Sequence, residues 1–341
     1  MYTKVKKNKS NGKIVLIAGA TGYIGRNLVE KLDKSGFRVI RVVRNTGSIK
    51  KTSSIKTIKV DICQTASVDL ILRSVKQVDI IISCVGSRNG TRLEAKEVEY
   101  AANMHLLQLG RHLKVDQFIL LSAICVQKPQ LLFQKSKLRF ENQLRGSNLN
   151  WTIIRPTAFF KSLAGQIERV QKGKPFIVFD YGLNNKFKPL SAKDLCDFIC
   201  GKILHSNAFQ KIFVVGGPGP AMSPKEQGEL LFKILNKPKR FFYVPSFLFR
   251  LFLCITYPFG LIFQKCDDFR EFLKIGLFYA TESMLHWDEE KNQYDESKTP
   301  ETGMDTLEGF YRKAIANPKS CIEIADKKLF SIGKSDRSTQ I

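Results

Sequence analysis

KIVLIAGATGYIGRNLVEKL, residues 13–32, decides how the chain folds. Its first half is apolar without alternation, the pattern of a strand covered on both faces of a sheet. Its second half spaces Ile24, Leu28 and Leu32 four apart, the period of a helix that buries one stripe. Between them stand Gly19, Gly22 and Gly25, a GxxGxxG run that follows the strand and opens the helix. Gly19 permits a tight turn, Gly22 lets backbone amides reach a pyrophosphate, and Gly25 lets the helix pack close to the sheet. The helix N-terminus then faces the phosphate charge. Thr21, Tyr23 and Ile24 complete the turn and are read with the glycines as cofactor-binding residues. The competing reading is a glycine turn that serves structure alone.

Outward from this turn, apolar runs predict strands over 37–44, 55–60, 78–86, 118–126 and 151–160. Helical periods over 24–34, 68–75, 94–113 and 131–144 separate them. Such alternation means right-handed crossovers and an α/β fold, a Rossmann-type doubly wound parallel sheet. After Pro156 the pattern loosens. KIFVVGG (211–217) reads as a late strand, and Ser223-Pro224-Lys225-Glu226 as a capped helix start. The expected organisation is a flexible basic N-terminus over 1–12 and an NADP-binding domain over 13–160. A smaller, mainly helical substrate-binding part, interleaved with the last sheet strands, follows over 161–317, then a polar tail over 318–341.

Enzymes using NAD usually place an acid near the end of the second strand, on the ribose hydroxyl. Residues 34–60 contain no Asp or Glu, but they do contain Arg38, Arg41 and Arg44. Arg44 ends the predicted second strand, where a 2′-phosphate would lie, so NADPH is expected over NADH. Arg41 alternates with Val42 and Val43 and is read as facing solvent. Asp61, after the third strand, is placed either to accept from an adenine amino group or to cap a turn.

The chain has 341 residues and a formal charge of +24. Ordinary apolar and charged fractions exclude a disordered chain, a collagen and a coiled coil. The positive surface favours anionic partners, although coding bias alone can fill a surface with lysine. Basic residues are scattered and no recognised motif is present, so nucleic acid is not an expected partner. The eight cysteines include no CxxC, which argues against a disulfide framework, a zinc site or an iron–sulfur cluster; no metal site is expected. The Lys-rich N-terminus has no apolar core of a secretory signal. The most apolar stretch, 241–263, is interrupted by Pro245, Arg250 and Pro258. It reads as amphipathic helices of a substrate pocket or a peripheral membrane contact rather than a span.

The glycine spacing, Ser122 after the fifth strand and Lys137 on the next helix resemble the short-chain dehydrogenase/reductase superfamily. Its usual tyrosine, four residues before the lysine, is replaced by Phe133. The chain therefore resembles an atypical, NmrA-like member. PTAFFKSLAGQ (156–166), GGPGPAMSPKEQGELLF (216–232) and YATESMLHWDEEKNQYDESKTPETGMDTLEGFY (279–311) closely resemble the NADPH-dependent divinyl chlorophyllide 8-vinyl reductases. The similarity runs from Lys13 to Ala314. One loop departs from it, FDYGLNNKFKPLS (179–191), although Lys188-Pro189 is kept.

The resemblance implies reduction of the vinyl group of a chlorophyllide-type magnesium tetrapyrrole to ethyl. It implies Lys137 on the nicotinamide ribose and near the proton source, with Ser122 beside the nicotinamide or capping a turn. A conjugated alkene yields no alkoxide, so a phenol donor at position 133 is not obligatory. Phe159 and Phe160, after the sixth strand, are expected to stack on the macrocycle or pack in the core, and Lys161 to pair a propionate or meet solvent. His286 is read as structural before magnesium-ligating. The expected location is cytoplasmic or thylakoid-associated in a photosynthetic bacterium, or plastid in a eukaryote. The alternative is a non-catalytic NADPH-binding relative acting as a photosystem assembly factor or redox sensor. The oligomeric state is not legible.

Overall fold

In the computed structural model, which describes residues 12–46, 54–87, 89–183, 185–260 and 264–317, the opening stretch is strand β1 (Ile14–Ala18) and helix α1 (Tyr23–Lys34). Strands β2 (Arg38–Val43) and β3 (Ile55–Lys59), helix α2 (Ser67–Ser74) and strand β4 (Ile80–Ser83) follow. Next come a short helix α3 (Arg92–Glu94), a π-helical segment over Ala95–Ala101 and α4 (Ala102–His112). Then β5 (Gln117–Leu121), α5 (Leu132–Arg145) and β6 (Trp151–Pro156) complete the first half.

The second half begins with α6 (Phe160–Leu163), α7 (Ile167–Gln171) and β7 (Phe176–Phe179), followed by α8 (Ala192–Lys202) and β8 (Lys211–Val215). After β8 come α9 (Pro224–Leu235), β9 (Phe241–Val244), α10 (Phe247–Gly260) and α11 (Gln264–Thr281). A hairpin of β10 (His286–Asp288) and β11 (Gln293–Asp295) leads to α12 (Leu307–Ala316).

The main sheet has seven strands in the order β3-β2-β1-β4-β5-β6-β8, every pair parallel. Its strands read apolar throughout because both faces are covered. Leu16, Ile81, Phe118 and Ile153 pack on one side with α2, α4 and α5. Val15, Ile17, Ile82 and Ile154 pack on the other with α1 and α8. The sheet is doubly wound as expected, and β8 returns to it only after the chain has built α6 to α8.

Three expectations need correction. The run 118–126 is not strand throughout: β5 stops at Leu121, and Ile124–Gln127 form a 3₁₀ turn. Ile124 and Cys125 stay apolar because they pack with Phe278 and Met284, away from the sheet. Likewise β6 stops at Pro156, and Phe160 opens a helix. Of the stretch 241–263, Phe241–Val244 is a strand that pairs with β7, not a helix. Phe241 is held there by edge contacts to Phe176 and Phe232. Residues 261–263, the residues before 12 and those after 317 lie outside the described ones. The capped start at Ser223 is present: its Oγ accepts from Glu226 N, and Glu226 accepts in return from Ser223 N at 2.8 Å.

No disulfide joins the described cysteines. Burial pushes the Cys63 and Cys125 thiols up to about 11 and those of Cys84 and Cys200 to about 12, and it raises Cys196 as well. Cys254, on α10, is exposed.

Candidate active site

Strand order reverses between β1 and β4, so the loops leaving these two strands flank the crevice where such sheets bind ligands. The glycine turn forms one wall. Gly19 has φ +76°, and a Cβ there would lie 2.4 Å from the Cys84 carbonyl oxygen. At Gly25 a Cβ would lie 2.2 Å from Gly19 O, so α1 touches the turn directly. Gly22 N donates to Gly19 O at 3.0 Å and closes the loop. Thr21 and Gly22 are exposed, and the first turn of α1 carries no acid. That is a cradle of amides with positive potential, and it fits a pyrophosphate.

Arg44 stands exposed just past β2, at the same edge of the sheet. Arg41 does not face solvent. It is 8% exposed, its Nε donates to Thr57 Oγ1 at 2.8 Å, and burial lowers its pKa. The reason is that β2 is an interior strand with both faces covered. Asp61 caps a turn, accepting from Cys63 N at 3.1 Å.

Tyr23 ties the turn to the loop after β6. Its ring meets Phe159 edge-on at 6.1 Å, and Lys161 Nζ lies 5.7 Å above it. Burial raises the Tyr23 hydroxyl, and Arg26 partly offsets this. Phe159 and Lys161 therefore stand beside the glycine turn. Phe160 points elsewhere: it is 2% exposed and packs on Phe310 in the core of the second half.

Lys137, on α5, is buried, with Nζ 2.7 Å from Glu99 Oε2. Its positive charge opposes the upward push on the Cys84 and Cys125 thiols, which puts it within electrostatic reach of both. Cys84 is also the residue that Gly19 abuts, so the glycine turn and Lys137 share a neighbour. Ser122 donates to Glu141 Oε1 at 2.5 Å, and Glu141 is clamped by Arg155 through Nη2 at 2.5 Å. Phe133 packs with Ile275 of α11 around Gly90.

The family-like C-terminal stretch acts largely as stitching. Trp287 N donates to Gln127 Oε1 at 2.9 Å, and Lys128 Nζ lies 4.3 Å above the Trp287 ring. Gly303 is pressed on Asp194, whose carboxylate accepts from Met304 N and Asp305 N at 3.1 and 2.9 Å. A Cβ at Gly217 would collide with Pro189 O, which gives Lys188-Pro189 and the glycine pair after β8 a common purpose. His286 is half-buried in β10. Among the described residues no cluster of His, Cys, Asp or Glu suits a metal ion.

Sequence reasoning did not single out Glu99, Ser87 or Tyr279. For Glu99 a signal existed: it shares the buried stripe of Asn103, Leu106 and Gly110, where a carboxylate demands a partner. No such pattern marks the other two.

The NAD(P)H-binding family matches residues 19–181. Divinyl chlorophyllide a 8-vinyl-reductase of Arabidopsis thaliana is 40% identical over 94% of this chain and 81% of its own length. Photosystem II assembly factor Ycf39 of Cyanophora paradoxa is 29% identical over only 45% of this chain and 47% of its own. A UDP-glucuronic acid 4-epimerase variant from Bacillus cereus, solved with NAD, has a TM-score of 0.66 at 17% identity, over 90% of this chain and 99% of its own. That last likeness is one of fold. The cofactor is a nicotinamide dinucleotide, and the length and identity of the match to the plant reductase make this chain a member of the divinyl chlorophyllide a 8-vinyl-reductase family.

Proposed function

We propose that this chain reduces the 8-vinyl group of divinyl chlorophyllide a, or of a closely related magnesium tetrapyrrole, to ethyl in chlorophyll synthesis, with NADPH as reductant. The observation that carries this reading is Lys137, buried and ion-paired with Glu99, with a phenylalanine where a ketone-reducing relative needs a phenol. The dinucleotide supplies two electrons and one hydrogen as hydride. Gly19 to Gly25 bind its pyrophosphate, and Arg44 pairs its 2′-phosphate. Lys137 holds the nicotinamide ribose hydroxyls. Phe159 offers a face to the macrocycle and Lys161 a charge to a propionate.

Contact with an anionic lipid surface belongs to the same reading. On α10, Phe247, Leu251, Phe252 and Ile255 are 60%, 49%, 50% and 54% exposed. Residues 241–266 hold Arg250 and Lys265 and no carboxylate. No helix among the described residues is long and apolar enough to cross a membrane.

The test is incubation of purified protein with divinyl chlorophyllide a and NADPH, followed by the Soret band and chromatographic retention. A blue-shifted monovinyl product supports the reading. NADPH binding without product, with the substrate shown to be dissolved, sinks it in favour of the non-catalytic assembly-factor or sensor role.

A further inference from the structure

The helix expected over 94–113 is broken by a π-helical turn, and the break has a visible occupant. Ala102 N reaches back five residues to Glu97 O. The Glu99 carbonyl accepts instead from Asn103 Nδ2 at 2.9 Å, and Asn103 Oδ1 accepts from Ser83 Oγ at 2.5 Å. An inserted π-turn re-aims one side chain, and such turns recur at functional sites. Here the side chain is Glu99, 2% exposed. Its Oε1 accepts from both the N and the Oγ of Ser87, each at 2.8 Å. Its Oε2 is ion-paired with Lys137 Nζ at 2.7 Å without hydrogen-bond alignment, so a proton passes between them only as the ammonium turns. Ser87 itself is half-buried, at the outer end of this chain of contacts.

We infer that Ser87, Glu99 and Lys137 form a proton relay that feeds the reduction, taking the place of a phenol at position 133. The inference rests on the proposed reaction, which adds one hydride and one proton across a carbon–carbon double bond. Hydride forms a C–H bond at one vinyl carbon, the π bond breaks, and the electron pair spreads into the ring. An N–H bond of Lys137 then breaks and a second C–H bond forms. The lone pair left on Nζ is then reprotonated: the Glu99 carboxylate takes the Ser87 hydroxyl proton, solvent restores the Ser87 hydroxyl, and the Glu99 carboxyl passes a proton to Nζ. The competing donor is Tyr279 of α11. That helix packs Ile275 against Gly90 beside Phe133, and it carries Tyr279, 42% exposed, within electrostatic reach of Glu99 and Cys125.

The experiment compares Glu99→Gln, Glu99→Asp, Ser87→Ala and Tyr279→Phe in the full chain, with NADPH affinity by fluorescence titration measured beside kcat and KM. Gln keeps an acceptor for Lys137 but cannot carry a proton. We expect Glu99→Gln to lower kcat roughly 10²-fold with NADPH Kd and substrate KM within about threefold. Glu99→Asp regains about tenfold of that loss, and Ser87→Ala lowers kcat a few-fold with a larger solvent deuterium isotope effect. A Glu99→Gln chain with near-normal kcat overturns the relay, as does one whose defect lies wholly in NADPH affinity. Loss of kcat in Tyr279→Phe alone overturns it in favour of the phenol. A wild-type chain that binds NADPH but reduces nothing overturns the reaction and the relay together, which separates that failure from the others.

Discussion

The turn at Gly19–Gly25 and the hairpin of α10 and α11 both reach solvent, yet they tolerate opposite things. In the turn, backbone meets backbone: carbonyl oxygens occupy the places where Cβ atoms would go at Gly19 and Gly25. In the hairpin, side chains meet solvent: Phe247, Phe252 and Tyr257 are each half exposed or more. Rigid atoms cannot yield, so the turn specifies one shape and hence one ligand class. Exposed rings specify no shape, only a preference for an apolar surface. Binding of the cofactor is thus a matter of geometry and the proposed docking on a lipid surface a matter of area.

The sharpest way to break this contrast is Gly19→Ala. A Cβ in a left-handed conformation against the Cys84 carbonyl should weaken NADPH binding by about 10²-fold or more, measured by fluorescence titration. Retained affinity would mean that the turn is not the pyrophosphate site. Lys137→Ala comes next. It removes the proposed ribose contact and the buried ion pair, so kcat/KM for NADPH should fall about 10²-fold, and near-normal kinetics would take Lys137 out of the site. Arg44→Ala should cut the preference for NADPH over NADH by about tenfold, with NADH kinetics little changed. Phe133→Tyr should alter turnover by no more than about threefold; a large gain would restore the phenol as the missing acid.

On the hairpin side, Phe252→Ser with Ile255→Ser should reduce flotation with anionic vesicles and leave kcat on dissolved substrate unchanged. The smallest effect concerns Ser223→Ala. Losing the cap should cost about 1 kcal/mol near neutral pH. Hydrogen bonds from Ser223 hold the Glu226 carboxyl below its ordinary 4.5. A depressed folded value stabilises above the unfolded one and is lost as pH falls through it. The gap in Tm between variant and wild type should therefore shrink below about pH 4.

Legibility in the sequence followed the same division. Runs such as IVLIA and RVIRVV carry their own sign of double-sided burial, so the parallel sheet and the glycine turn could be read from residues alone. Where burial and strand part company, as at Ile124–Val126, an apolar run means only that something covers it. Arg41 misled because alternation says nothing about which faces of a sheet are clothed. Lys137 stood out by its spacing from Ser122, and its partner Glu99 only as a carboxylate on the buried stripe of Asn103 and Leu106. The π-turn over Ala95–Ala101 that carries Glu99 has no local pattern to announce it. Phe160 and Phe159 are neighbours with opposite surroundings, one in the core and one beside Tyr23, which only the path of the chain after β6 decides.

The cysteines have a practical corollary for labelling. Alkylating reagents attack thiolates, and burial holds Cys63, Cys84, Cys125, Cys196 and Cys200 in the protonated form well past neutral pH. Cys254 is the exposed thiol among the described residues, and it sits on the outer helix α10. In a chain carrying Cys266→Ser and Cys321→Ser a polarity-sensitive maleimide dye should therefore mark that helix and leave the crevice chemically intact. Its emission would then register the surroundings of the hairpin during turnover, with no cysteine engineered into the protein.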